Sequence, residues 1–236
     1  MMKMKTLMVC SLILLPSLGC AQNCCQGKKQ EKKCELQVKT SCCNKTMVPT
    51  TSCCQMSNEV IQTIMSRRSI RKYQEKPVEH EKLALIAKCG INAPSAMNQQ
   101  TWAVRVVENP DFIKGTTEIF KKENPEQVKR DANFKNMYRN APNIIIVACP
   151  KDDAFAQLNV GLMGENMMLA AQSLGLGTCC LGSSAMFLQR SEAYKPFLAQ
   201  LNLPAGYEIC YILAVGYPDE APAAKPRDEG KIEYIK

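Results

Sequence analysis

Histidine is all but missing from these 236 residues; His80 is the only one. A Ser-His-Asp triad or a multi-histidine metal centre is therefore not expected. His80 itself sits in the charged run EKPVEHEKL and reads as a solvated helix start. No G-x-x-x-x-G-K-[ST] loop occurs, and the glycine-rich stretch that does occur is not G-x-G-x-x-G, so the common phosphate-cradling turns are missing. Paired C-x-x-C knuckles are missing too, which argues against a structural zinc. No segment after the leader reaches the roughly 20 apolar residues that a membrane span needs.

What is present divides sharply along the chain. The formal net charge is +8, but residues 1–57 hold eight lysines and two glutamates. The remaining 22 basic and 20 acidic residues nearly cancel, so the body of the chain gives no reason to expect nucleic acid. The first 20 residues look like an export signal: Lys3 and Lys5, then the apolar run TLMVCSLILLPSL, then Ser17-Leu18-Gly19-Cys20. A small residue followed by cysteine resembles a bacterial lipoprotein box, although Ser17 stands where a large aliphatic residue is usual. This implies an exported, membrane-anchored chain, with a lipid on Cys20.

Residues 21–57 have few large aliphatic side chains and read as a flexible tether. The tether carries Cys24, Cys25, Cys34, Cys42, Cys43, Cys53 and Cys54. Adjacent cysteines seldom bridge each other, so each pair would bond outward or bind a soft ion. Disulfides in an oxidising compartment and soft-metal or thiol-redox chemistry both stay open.

From residue 58 to 236 the pattern is that of one folded domain. Ser57 or Asn58 can cap a helix carrying Val60, Ile61, Ile64 and Met65. A second helix follows Pro77, with Leu83, Leu85, Ile86 and Ala87 inward, and Gly90 reads as its C-cap. TWAVRVVEN alternates like a half-buried strand, and residues 110–123 suggest a helix. NIIIVAC, 143–149, reads as a strand buried on both faces. A long helix over 154–174, a short strand GTCCLG, a helix over 187–200 and the strand YEICYILAVGY complete the series. Helices and strands interleave irregularly, so the fold class is α+β.

Four segments could carry chemistry. Arg67-Arg68-Ser69-Ile70-Arg71 offers guanidinium forks and a hydroxyl suited to a phosphate, or else a solvated basic helix end favoured by the helix dipole. Pro94, Ser95, Asn98, Gln99 and Gln100 offer donors and acceptors without charge, as a uracil-like ring edge requires, or form an ordinary polar turn. Gly175-Leu-Gly177-Thr-Cys-Cys-Leu-Gly182 has small residues that let backbone N–H groups approach a ligand. Lys225-Pro226-Arg227 is a cationic pair near the end of the chain, or a solvated tail.

In this order, RRSIRKY, NAPSAMNQQTW, the long helix leading to LGLGTCCLG, and AVGYP followed by KPR resemble the nitroreductase family of flavin enzymes. The resemblance covers roughly three quarters of the chain, from about Asn58 onward. It implies a mixed sheet flanked by helices, an intertwined homodimer, and two FMN molecules at the dimer interface. Arg67 and Ser69 would bind the FMN phosphate, with Arg68 adding a ribityl or phosphate contact and Lys225 and Arg227 completing the cradle. Arg71 would face the pyrimidine side of the flavin. Pro94, Ser95 and Asn98 would line the ring, and the backbone at Leu181 and Gly182 would approach N5. Two departures stand out: the usual Q-P-W reads Gln100-Thr101-Trp102, and the site glycine follows Cys179-Cys180-Leu181.

The resemblance implies that the flavin carries the chemistry and that no side chain is catalytic. NAD(P)H would reduce it, and a nitroaromatic, quinone or similar electron-poor acceptor would reoxidise it in a ping-pong cycle. An exported chain meets little nicotinamide cofactor, so a protein or thiol reductant is the expectation if the leader functions. Reductive dehalogenation, for which 121–140 could serve as a lid over the substrate, or other flavin chemistry such as flavin destruction, is an alternative on the same fold. A non-enzymatic, metal- or thiol-binding surface lipoprotein is the other.

Overall fold

The structure is a computed structural model and describes residues 58–236; the expected leader, Cys20 anchor and cysteine-rich tether lie outside the described residues. Helix α1, Glu59–Ser66, starts where the Asn58 side chain accepts a hydrogen bond from Ile61 N at 2.9 Å. Helix α2 spans His80–Ile91, and strand β1 spans Ala103–Val107. Helix α3, Pro110–Glu123, begins with proline in its first turn and with Asn109 as cap. A short helix α4, Pro125–Lys129, precedes strand β2, Asn143–Pro150. Helix α5 spans Ala156–Ser173, and strand β3 spans Gly177–Leu181. Helices α6, Gly182–Arg190, and α7, Lys195–Gln200, lead to strand β4, Tyr207–Gly216.

The strands lie in the order β1-β2-β4-β3, and each adjacent pair is antiparallel. Ser69 adds one parallel bridge to Thr178 on β3, which makes the sheet mixed and covers part of its edge. β2 is buried along Asn143–Cys149, as its run of β-branched residues predicts. Its alternate side chains serve two cores. Ile145 and Val147 pack with Leu83, Ile86, Met163 and Met167 of α2 and α5. Ile144 and Ile146 pack with Phe112, Phe120, Leu188 and Tyr194 on the other face. This is the helix-flanked α+β architecture that the sequence implies.

Two local expectations need correction. Gly90 does not cap α2; it lies inside the helix, whose C-cap is Asn92. A Cβ at position 90 would come within 2.6 Å of Met167 Cγ, so the glycine serves close packing of α2 on α5. The helix expected over 187–200 is broken. α6 stops at Arg190, Ser191 is extended, a single 3-10 turn covers Glu192–Tyr194, and Pro196 opens α7. Proline inside one continuous helix would lose a backbone bond and clash with the preceding turn, whereas in a first turn it does neither. Within 121–140, the segment of the lid alternative, Met137 and Tyr138 are buried and the other residues are exposed or half-buried. Tyr138 is fully buried, with its hydroxyl 2.9 Å from Thr116 Oγ1, and Phe134 stacks on Phe120.

Candidate active site

After α1 the chain leaves the helix at Arg67 and turns extended. Ile70 N donates to Thr178 O at 2.9 Å, and the Tyr73 hydroxyl donates to Ile70 O at 2.5 Å. On its other side the segment meets the chain that follows β4: Asp219 N donates to Lys72 O, Gln74 N donates to Tyr217 O, and Arg71 N donates to Glu220 Oε1. Gly177 permits this seating, because a Cβ there would lie 2.7 Å from Ile70 Cγ1. The basic segment is thus clamped between β3 and the start of the C-terminal arm.

The three arginines then take different roles. Arg68 folds back, its Nη1 donating to Met65 O at 2.8 Å and to Arg67 O at 2.6 Å, so it caps the negative end of α1. Arg67 reaches α5: its Nε lies 3.3 Å from Glu165 Oε1 as an ion pair, yet this buried atom has no hydrogen-bond partner. The oxygen is near enough for Coulomb attraction but is not aligned for a hydrogen bond. Arg71 is exposed and spends one N–H on Ser69 O at 3.2 Å. Lys225 and Arg227 are exposed in the C-terminal arm and make no hydrogen bond or ion pair with a described residue.

The neutral segment holds three of the six left-handed non-glycine residues among the described residues. Pro94 and Ser95 lead into one 3-10 turn, Ala96–Asn98, and Met97, Asn98 and Gln100 all have φ between 50° and 55°. For non-glycine residues this left-handed region costs roughly 1–2 kcal/mol each, somewhat less for asparagine. The loop is held from beneath. Asn159, in the first turn of α5 and only 1% exposed, accepts from Ala96 N at 3.1 Å and donates to Thr101 Oγ1 at 3.2 Å. Ser95 Oγ accepts from Gln100 N at 3.0 Å, and Gln100 Nε2 donates to Asn98 Oδ1 at 3.3 Å. Asn98, Gln99 and Gln100 are consequently exposed on a fixed backbone, with most of their amide groups facing outward.

The third segment ends β3 and starts α6. Leu181 is buried and is the N-cap of α6; Gly182 is its first residue, and no side chain caps this end. A Cβ at Gly182 would meet nothing within 4 Å, so the space over this helix start is open. The first N–H groups of a helix have no partner within it and carry partial positive charge. The neighbouring thiols differ. Cys179 is buried in the core, where burial pushes its thiol up, partly offset by Arg71 and Arg139. Cys180 is exposed.

These segments in this order settle the relationship. The sequence pattern of the Nitroreductase family matches residues 64–217. The chain belongs to the nitroreductase family. It is 31% identical over 168 residues to a putative NADH dehydrogenase/NAD(P)H nitroreductase of Archaeoglobus fulgidus, covering 69% of this chain and 87% of that protein, and 29% identical over 176 residues to the NADPH-flavin oxidoreductase of Vibrio harveyi, covering 72% of this chain and 70% of that protein. An FMN reductase [NAD(P)H] of Bacillus subtilis is 27% identical over 180 residues, covering 72% of this chain and 70% of the relative. The crystal structure of a nitroreductase with bound FMN from Bacteroides fragilis superposes with a TM-score of 0.67 at 26% identity, covering 76% of this chain and all of that one.

Set within this nitroreductase fold, the sequence-derived candidates fall into two groups. Arg67, Ser69, Arg71, Leu181 and Gly182 sit on or beside the β3 edge. Pro94, Ser95 and Asn98 form the loop that Asn159 supports. α5 carries a contact to each group, Asn159 for the loop and Glu165 for Arg67, six residues apart and so about 9 Å along the axis. Sequence reasoning missed Asn159, Glu165 and Glu220. Asn159 had a legible signal: it is a polar residue on the face of α5 that otherwise shows Ala156, Val160, Met163 and Met167 to the core. Glu165 and Glu220 had none, because their partners are distant in the chain.

Proposed function

We propose that this nitroreductase-family protein is an FMN-dependent oxidoreductase that takes reducing equivalents from NAD(P)H and passes them to nitroaromatic, quinone or similar electron-poor acceptors. The observation that carries the reading is Arg67. A buried guanidinium nitrogen without a hydrogen-bond partner costs on the order of 1–3 kcal/mol. A phosphate is an anion of the right geometry to remove that cost, because guanidinium and phosphate match as forks.

The residues present fit FMN. Arg67 and Ser69 would hold the phosphate, with Lys225 and Arg227 of the arm as further cations. Ser95 and Asn98 supply neutral donors and acceptors for the polar edge of a ring, on a backbone that Asn159 keeps from relaxing. Pro94 sets the turn. Leu181 and Gly182 stand at the start of α6, where no side chain caps the helix and its dipole faces the open space above Gly182. Arg71 keeps guanidinium N–H groups free to favour negative charge as it develops nearby. FMN, when bound, supplies the hydride and electron chemistry, so no side chain need act as nucleophile or base.

The same reading includes a homodimer. α1 buries none of its residues, and Val60 and Met65 are 66% and 70% exposed. Leu158 and Leu162 of α5, and Ile232, Tyr234 and Ile235 of the arm, are also exposed apolar residues. A second copy would cover this apolar surface and bring a second arm to the site. Export and anchoring through Cys20 belong to the proposal on the composition of the leader alone; the mass of the N-terminal peptide from the membrane fraction tests them.

The test of function is the visible spectrum of the full chain as purified, followed by anaerobic addition of NADH or NADPH. The reading expects a yellow protein that bleaches and regains colour with a quinone. A folded, colourless protein that does not take up added FMN ends it.

A further inference from the structure

The two sheet faces alternate strictly along most of β4. Leu213 and Val215 face the core shared with α2 and α5, whereas Ile212 and Ala214 face the opposite one. Continued alternation would turn Tyr211 toward α5 and Cys210 away from it. Instead the register slips: Val147 pairs with Tyr211, Ala148 pairs with Ile209, and Cys210 is the extra residue of a bulge. A bulge re-aims a side chain. Cys210 therefore packs on the same face as Tyr211, and Ile209 resumes the alternation toward the other core. Cys149 of β2 shares the α5 face with Ile145 and Val147.

The bulge thus brings two thiols from adjacent strands together, with Cys149 Sγ 2.7 Å from Cys210 Sγ. Non-bonded carbon atoms settle at about 3.5–4.0 Å, and sulfur is larger. Adjacent strands about 4.8 Å apart also lie within the span that a disulfide bridges. Nothing in the proposed flavin chemistry uses either thiol.

We propose that Cys149 and Cys210 are a redox-active dithiol that closes to an intrachain disulfide stapling β2 to β4. The oxidant is a small disulfide. Cys210, half-buried, is the entrance, whereas Cys149 is 2% exposed. The Cys210 thiolate attacks one sulfur of the small disulfide and expels one thiolate, leaving a mixed disulfide. The Cys149 thiolate then attacks Cys210 Sγ and expels the second. Two protein thiols lose two electrons and two protons, and one small disulfide becomes two thiols. Burial pushes both thiols up, Cys210 to about 12, so exchange is slow at neutral pH. The staple lies beside α5: the hydroxyl of Tyr211, next to Cys210, donates to Val160 O at 2.5 Å.

The experiment uses the full chain with FMN, incubated for hours with oxidised glutathione, blocked with N-ethylmaleimide, digested and mapped by mass spectrometry. Parallel thermal melts compare it with Cys149→Ser, Cys210→Ser and the double variant, which set the baseline for the other cysteines. The expected result is a linked peptide joining Cys149 to Cys210, reversed by dithiothreitol. A Tm rise on the order of 5–10 °C should accompany it and vanish in all three variants. Recovery of both thiols unlinked overturns the proposal. So does Cys210 found only as a glutathione adduct or joined to another cysteine. If the serine variants do not fold, the wild-type peptide map still decides.

Discussion

Replacing Asn159 with alanine isolates the support beneath the amide loop. The side chain is buried and makes two hydrogen bonds, to Ala96 N and Thr101 Oγ1. Its removal leaves the Ala96 N–H without an acceptor, at roughly 1–3 kcal/mol, and removes a weaker bond worth about 1 kcal/mol. The loop stores a further few kcal/mol in the left-handed residues Met97, Asn98 and Gln100. Once the pin is gone, this strain can be released by local rearrangement, which limits the global loss. The FMN-free protein should therefore lose about 2–3 kcal/mol, or roughly 5–10 °C in Tm. Affinity for FMN should fall by about 5- to 30-fold, as 1–2 kcal/mol of preorganisation is lost. Thr101→Val should show the smaller part of both effects. Thermal melts and titration of flavin fluorescence read the two quantities separately. If Asn159→Ala binds FMN as tightly as the parent and melts at the same temperature, the argument that this helix residue preorganises the loop is wrong.

Other substitutions test other parts of the structure. Arg67→Gln should weaken FMN at least 10-fold, at about 1.5–3 kcal/mol for a charge-assisted bond, yet leave binding of riboflavin unchanged, because riboflavin lacks the phosphate; equal losses for both ligands would refute the phosphate assignment. Gly177→Ala forces a Cβ to within 2.7 Å of Ile70 Cγ1 and should destabilise by about 1–3 kcal/mol, with a matching loss of FMN as the basic segment shifts; denaturant melts and flavin titration measure both. His80, paired with Glu108 at 2.9 Å, should titrate above its ordinary value because of that hydrogen bond and charge. Its folded-state value is raised, so the pair's stabilisation is full below the unfolded value and is lost as pH rises through the folded one. NMR of this single histidine should show the shift, and Glu108→Gln should remove most of it, leaving the smaller pull of Glu81.

The sequence by itself determined the elements whose signals are local. Asn58 caps α1, the β-branched run of β2 is buried on both faces, and Pro110 opens α3. Hydrophobic period, caps and prolines act within a few residues, so they can be read without knowing the fold. The resemblance also placed Arg67, Ser69, Asn98 and Gly182 in segments that the structure arranges around α5 and the β3 edge. Tertiary structure alone decided what each does there. Three arginines that look alike in RRSIR divide into a helix cap, a partner of Glu165 and an exposed cation. Gly90, read as a helix stop, proved to be a contact with Met167 across the chain. The bulge that sets Cys149 against Cys210 depends on pairing between strands 61 residues apart, and no local pattern records such a register. Composition and periodicity fix which faces are buried; which residues meet across those faces is set only when the chain closes on itself.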